Sequence, residues 1–298
     1  MTLPTYQATK TLPPIPVSPT PIPSATKTVV KTQKPSPTLV PTSTSEPTPG
    51  PDAWRLQPVI PIISDSVVQI YQRGLQLGNN PRAFSKIGDC GTTPTWFLGD
   101  FDRGPEYYQL GEYHELASVI EEFKGSFDRT SLAARSGFNT SAIFSPLWSN
   151  LDYCQPDEAP LACEYRVHKP IIAFVMLGAN DIWQPEAFEI QMRKLIEYSM
   201  QNGVIPILST KADNQEKDHS INATIVRLAL EYELPLVNFW RAVDPLPNHG
   251  LQSDYVHMTY GNNYFDDPNS MEQAWPVRNL TALQILDAVW KKVTQQIQ

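Results

Sequence analysis

The strongest constraint on the fold is the run PIIAFVMLG at 170–178, which has no polar side chain to give it a wet face. A strand apolar on both faces must be covered on both, as in a parallel sheet clothed by helices. The run is far short of the ~20 residues that a membrane-spanning helix requires. Its neighbours alternate accordingly. QPEAFEIQMRKLIEYSMQNG has Pro185 in a first helical turn and Gly203 as a stop. VIPILST then reads as strand, HSINATIVRLALEYE as helix, PLVNFW as strand and VRNLTALQILDAVWKKVTQQI as the closing helix. Upstream, Ser64 is the expected N-cap of a short helix with Val67, Ile70, Tyr71 and Leu75 on one face, and AFSKIGDC reads as the first strand. Leu116, Val119, Ile120 and Phe123 give helical spacing that closes on Gly125. The alternation predicts an α/β domain, a three-layer sandwich with a central, mainly parallel sheet flanked by helices. Sites in such folds lie beyond the carboxyl ends of the strands.

Nearly half of the 29 prolines precede Trp54, among Thr, Ser, Val and Lys. Residues 1–52 are therefore expected to be a disordered Pro/Thr/Ser-rich linker, a semi-rigid tether in extended conformations, and 53–298 the folded domain. The net charge is −8, and the linker carries Lys10, Lys27, Lys31 and Lys34 against Glu46, so the acidity belongs to the domain. This argues against a nucleic-acid surface. MTLPTYQATK lacks the apolar core of a secretory signal and any cysteine for a lipid anchor, which leaves open an exported chain without its leader or a cytosolic one.

Three cysteines bear on that choice. Cys154 and Cys163 bracket CQPDEAPLAC, a stretch expected to be a loop and a candidate for a disulfide worth about 2 to 3 kcal/mol; the alternative is two free thiols in a solvated loop. No Cys or His pair of suitable spacing completes a metal site, and no cofactor is expected. An oxidised pair implies an extracellular or cell-surface protein and leaves Cys90 over.

The residues after each expected strand are, in order, Gly88-Asp89-Cys90, SGFNT with Gly137, Gly178-Ala179-Asn180-Asp181, and SDYVHMT with Asp254 and His257. Together they resemble the four blocks of the SGNH (GDSL) hydrolase superfamily, a Gly-Asp-Ser turn, a glycine, Gly-x-Asn-Asp and Asp-x-x-His, over the stretch from about Phe84 to the closing helix. The third and fourth blocks match in full; the first has Cys90 where the family has its nucleophilic serine. The resemblance implies a flavodoxin-like SGNH fold and an ester hydrolase with Cys90 as nucleophile, His257 as base and Asp254 as its orienting partner. It also implies an oxyanion hole from the backbone N–H groups of Cys90 and Gly137 and the amide of Asn180. The residue types suit that chemistry, since acyl transfer needs a nucleophile, a proton acceptor, a group that orients it and donors for the oxyanion. Each position has a plainer reading too: a loop cap for Asp254, a surface histidine for His257, a turn residue for Asn180, a positive φ for Gly137. Asp181 is expected as a cap or framework hydrogen-bonder, and His114, His168, His219 and His249 are given no role.

A thiol beside an imidazole is expected to ionise readily. Sulfur is also larger than oxygen, and a pocket shaped for serine would misplace it. Three readings are open: a Cys-His-Asp hydrolase or acyltransferase acting through an acyl-enzyme, a degenerate binding protein for carbohydrate or cell-surface ligands, or a structural cysteine. The preferred substrate is a short-acyl or carbohydrate O-acyl ester, with the chain tethered at a cell surface by its linker. Trp96, Tyr107, Tyr108, Trp148, Trp183 and Trp240 are the candidate sugar-stacking aromatics, core packing being the alternative. Lys211, Asp213 and Asn214, and Asn238 with Trp240, follow two further expected strands and are candidates to line a substrate cleft, the preferred reading being solvated loop polars and a core Trp.

Overall fold

The computed structural model describes residues 52–295. The expected linker, but for Asp52, lies outside the described residues. Four strands form one parallel sheet in chain order: β1 Asn80–Gly88, β2 Pro170–Met176, β3 Ile205–Ser209 and β4 Leu236–Val237. Every residue of β2, β3 and β4 is buried, as the unbroken apolar pattern requires. The expected α/β sandwich is present.

Helices cover both faces. On one lie α3 (Pro160–His168), α4 (Pro185–Gln201) and α5 (Ser220–Glu231). The Tyr165 hydroxyl of α3 is 2.7 Å from Ser199 Oγ of α4, and Glu189 and Arg193 of α4 pair with Arg227 and Glu231 of α5. On the other face, α1 (Ser66–Gln76) and α2 (Ala117–Glu122) pack beside the closing helix α7 (Ala274–Gln295), which pairs Lys292 with Asp65. Phe84 of β1 meets Phe174 of β2 edge to face at 5.4 Å, with Phe127 at 5.0 Å from the other side.

Several local expectations are corrected. PLVNFW is strand only at Leu236–Val237; Asn238 then caps a short helix, α6 (Phe239–Val243), by accepting from Arg241 N. The capping amide is the reason, because Asn offers the backbone a bond that ends the strand ladder. CQPDEAPLAC is not all loop: Pro160 takes the first helical turn and Cys163 lies in α3. Ser64 Oγ accepts from Ser66 N at 3.3 Å, the bond expected of a cap, and also donates to Glu233, while Asp65 already has helical φ and ψ and makes no side-chain cap bond; Leu75, expected on the inner face, is exposed. The stretch 113–125 is a 3₁₀ turn followed by α2, with its four apolar residues buried as expected.

Polar groups inside β1 anchor the segment that leads to Gly137. Ser85 and Lys86 are fully buried. Ser85 Oγ donates to Glu164 of α3 at 2.5 Å; the same carboxylate takes Arg129 at 2.8 Å and the Leu132 amide at 2.7 Å. Lys86 Nζ donates to the Phe127 carbonyl at 2.7 Å, and burial presses its pKa down to about 7. These bonds hold 127–134 against β1, where Ala134 bridges to Gly88. The segment therefore reaches Gly137 from a fixed start.

Candidate active site

A cavity of about 660 Å³ opens at the carboxyl ends of β1, β2 and β3. Cys90, Gly137, Asn180 and His257 all line it, although they arrive from four separate segments. Cys90 begins a 3₁₀ turn immediately after β1, in which the Asp89 carboxylate accepts from Gly91 N at 2.8 Å. Bridged to the end of β1, the loop after Ala134 brings in Gly137, whose φ of +82° is one that a side-chain-bearing residue rarely adopts. The amide of Asn180, beyond β2, donates to the Phe138 carbonyl at 2.9 Å, so the two oxyanion candidates are tied together. Asp181 is the framework residue expected: it is buried and its Oδ1 accepts from Thr140 N at 3.0 Å and Thr140 Oγ1 at 2.6 Å. Burial, opposed by those bonds, still pushes its pKa up.

Asp254 and His257 form a closed pair. One carboxylate oxygen accepts from the Val256 and His257 amides at 3.0 Å each, and the other lies 2.6 Å from His257 Nδ1. The bond from His257 and those two amides hold the Asp254 pKa down to about 2. A carboxylate on Nδ1 selects the neutral tautomer with its proton there, which leaves Nε2 as a base.

The thiol departs from expectation. Cys90 is the free, exposed cysteine, but partial burial and then the Asp89 charge push its pKa up, against the Gly91 and Cys90 amides and Arg278. Among the described residues no hydrogen bond joins the thiol to His257, whose ring is bonded to Asp254. Desolvation outweighs the donors around the sulfur, which favours the neutral thiol over the thiolate.

Other expected residues divide. Lys211 and Asp213 line the cavity, joined at 2.7 Å, with Glu216 on the same ammonium at 2.5 Å. Trp96 lines it and stacks on Trp275 at 5.6 Å. Trp240 instead lines a smaller neighbouring cavity of about 310 Å³ with His219 and His249, while Tyr107, Trp148 and Trp183 are exposed and Tyr108 half-buried outside either. Asn238 is buried and donates to the Trp54 and Gln57 carbonyls. Met176, Trp275 and Arg278 were not anticipated at the site. All three sit within apolar or helical patterns that read as core, and only the odd charge of Arg278 on the inward side of α7 marks it in the sequence. Cys154 and Cys163 are disulfide-bonded, with Cα atoms 5.3 Å apart, and no helix among the described residues is long and apolar enough to cross a membrane.

Comparison with solved structures finds a GDSL-like lipase from Bacteroides thetaiotaomicron at 14% identity, covering 75% of this chain and 98% of that one, with a TM-score of 0.42. It also finds an acetyl esterase mutant with acetate ion at 16% identity, covering 69% and 98%, with a TM-score of 0.42. No family model and no curated protein matches the chain.

Proposed function

We propose that the protein hydrolyses carboxylic esters by an SGNH-type mechanism in which Cys90 carries the acyl group. The observation that carries this reading is the Asp254–His257 pair at 2.6 Å, lining the same cavity as Cys90, Gly137 and Asn180. His257 Nε2 takes the thiol proton as sulfur attacks the ester carbonyl. The oxyanion is received by the Cys90 and Gly137 amides and the second N–H of Asn180, and its collapse expels the alcohol with the proton from His257. Water, deprotonated by the same imidazole, then cleaves the thioester to release the acid and restore the thiol. With the thiol pKa pushed up, proton transfer to His257 is expected to accompany attack.

The cavity volume suits a small ligand. The exposed face of Trp96, with Tyr260 edge-on at 6.2 Å, suits a sugar ring, which favours a short-acyl or carbohydrate O-acyl ester. The disulfide favours an oxidising, extracellular or cell-surface location. A second reading, a binding protein that has lost turnover, is favoured by the raised thiol pKa and the missing Cys90–His257 bond.

A chromogenic short-chain ester assay decides between them. Hydrolysis is expected for the wild type, with loss on thiol alkylation and in Cys90→Ala. A Cys90→Ser variant more active than wild type marks a pocket that kept serine geometry and supports the second reading. Hydrolysis by Cys90→Ala at the wild-type rate removes the assignment.

A further inference from the structure

The closing helix delivers to the cavity a cation that acyl transfer between Cys90 and His257 does not use. Arg278 lies 2.7 Å by Nη2 from Met176 Sδ and 3.6 Å by Nη1 from Met258 Sδ. Its Cζ lies 5.4, 5.5 and 5.4 Å from the ring centres of Phe97, Phe239 and Trp275, and its Nε is sealed from solvent with no hydrogen-bond partner. Thioethers are weak acceptors, so a planar fork of five donors is held in place without one oxygen. Among the described residues no carboxylate lies within ion-pair distance of it.

Apart from Asp89, the other charges around the cavity are paired. Lys211 holds Asp213 and Glu216, and Asp254 holds His257. Asp89 is the acid that acts on Arg278 most; its Oδ1 accepts from Gly91 N and faces the guanidinium across the space that Gly91 leaves open, where a Cβ would stand 3.2 Å from Asp89 Oδ1 and 3.4 Å from Arg278 Nη1, without closing to an ion pair. A half-buried cation whose Nε is sealed from solvent and which has no ion pair is costly to keep, and one that lines a pocket can receive a ligand's charge.

We propose that Arg278 binds a carboxylate carried by the ester substrate, so that the cavity selects anionic esters over neutral ones of equal size. A single uncommitted guanidinium suits one planar, singly charged group. This rests on the cavity being the substrate pocket, but the binding can be tested without turnover.

In the first arm, butanoate and butyramide are titrated into Cys90→Ala protein by calorimetry. Butanoate is expected to bind, butyramide far more weakly, and Arg278→Gln to weaken butanoate roughly ten- to a hundredfold, as for loss of a charge-assisted hydrogen bond. Arg278→Lys, which keeps the charge, should recover part of the affinity and guards against a glutamine variant that fails to fold. In the second arm, kcat/KM is compared for 4-nitrophenyl hemisuccinate and 4-nitrophenyl butyrate, and for an acetylated uronate and an acetylated neutral sugar. Preference for the charged member of one pair, reduced at least about tenfold in Arg278→Gln, supports the proposal and tells whether the carboxylate is on the acyl or the alcohol side. Equal binding of butanoate and butyramide overturns it even if neutral esters are hydrolysed, and the esterase reading survives. Arg278-dependent binding of butanoate without hydrolysis of any ester upholds it, and the esterase reading fails. Equal losses on charged and neutral esters, with slower alkylation of Cys90, overturn it in favour of support to the thiolate.

Discussion

At the scale of single residues, the Asp254 side chain does two jobs that a backbone carbonyl could not. One oxygen fixes the turn through two amides and the other fixes the imidazole. Asp254→Asn is therefore expected to cost kcat roughly 10²- to 10⁴-fold, because an amide no longer selects the tautomer, and His257→Ala to abolish turnover with the melting temperature kept. A His257→Ala variant that still hydrolyses the ester would place the base elsewhere. Since the Asp254 pKa is held at about 2, loss of activity between pH 7 and pH 4 will not come from this carboxylate. The thiol has the opposite sign. With its pKa pushed up, the thiolate fraction of Cys90 is small at neutral pH, so alkylation by iodoacetamide should be slow at pH 7 and climb above the range of an ordinary thiol. Asp89→Asn, which removes the like charge while leaving an oxygen for Gly91, should shift that climb to lower pH. A profile centred near pH 6 would mean that an ion pair with His257 forms in solution. The sequence motifs identify Cys90, Asn180 and His257 as candidates without disclosing this, because a pKa is set by how much water the fold removes, and burial of a turn is not encoded in its own three residues.

Elements explain where the sequence was readable. Strand β2 and helix α4 are evident from their patterns, since a fully apolar run and a proline-to-glycine span are local signals. The failures lie where side chains compete with the backbone: Asn238 ended the expected last strand by capping α6, and Pro160 started α3 inside what composition marked as loop. Helix α3 matters because it carries both Glu164, which holds 127–134 on β1, and Cys163 of the disulfide. A nine-residue separation gives the bond about 2 to 3 kcal/mol in the entropic account. Cys154→Ala/Cys163→Ala protein should accordingly unfold at lower denaturant, measured by urea titration, and mass spectrometry of unreduced, alkylated wild-type peptides should find Cys90 alone modified. Equal midpoints for the two proteins would show that Arg166, which pairs with Glu158 at 2.7 Å and donates to the Tyr153 carbonyl at 2.9 Å, already fixes this segment.

For the whole molecule the question is where the domain begins. The composition change put the start at residue 53, and the contacts of the next few residues give that boundary physical weight. Trp54 is 6% exposed and meets Trp240 at 5.1 Å and His219 at 5.6 Å. Its carbonyl and that of Gln57 accept the buried Asn238 amide at 3.1 and 3.0 Å, and Asn238 N reaches the Val59 carbonyl at 2.8 Å. A short strap thus closes over α6 beyond the last strand, tied to the residue that ends the sheet. We propose that residues 1–52 are dispensable for folding and hydrolysis and act as a tether. Protein beginning at Ala53 should melt within a degree or two of the full chain and hydrolyse esters at the same rate. Protein beginning at Pro58 loses the Trp54 ring and leaves the Asn238 amide without its two acceptors, a deletion comparable to removing a core tryptophan and expected to cost about 3 to 5 kcal/mol. Trp54 packs on two side chains that line the smaller cavity, Trp240 and His219, and Cys90 does not line it. The longer truncation should therefore lower stability more than it alters kcat at a temperature where the protein remains folded. A large drop in melting temperature already in the Ala53 protein would show that the proline-rich segment packs on the domain, and the tether reading would fail.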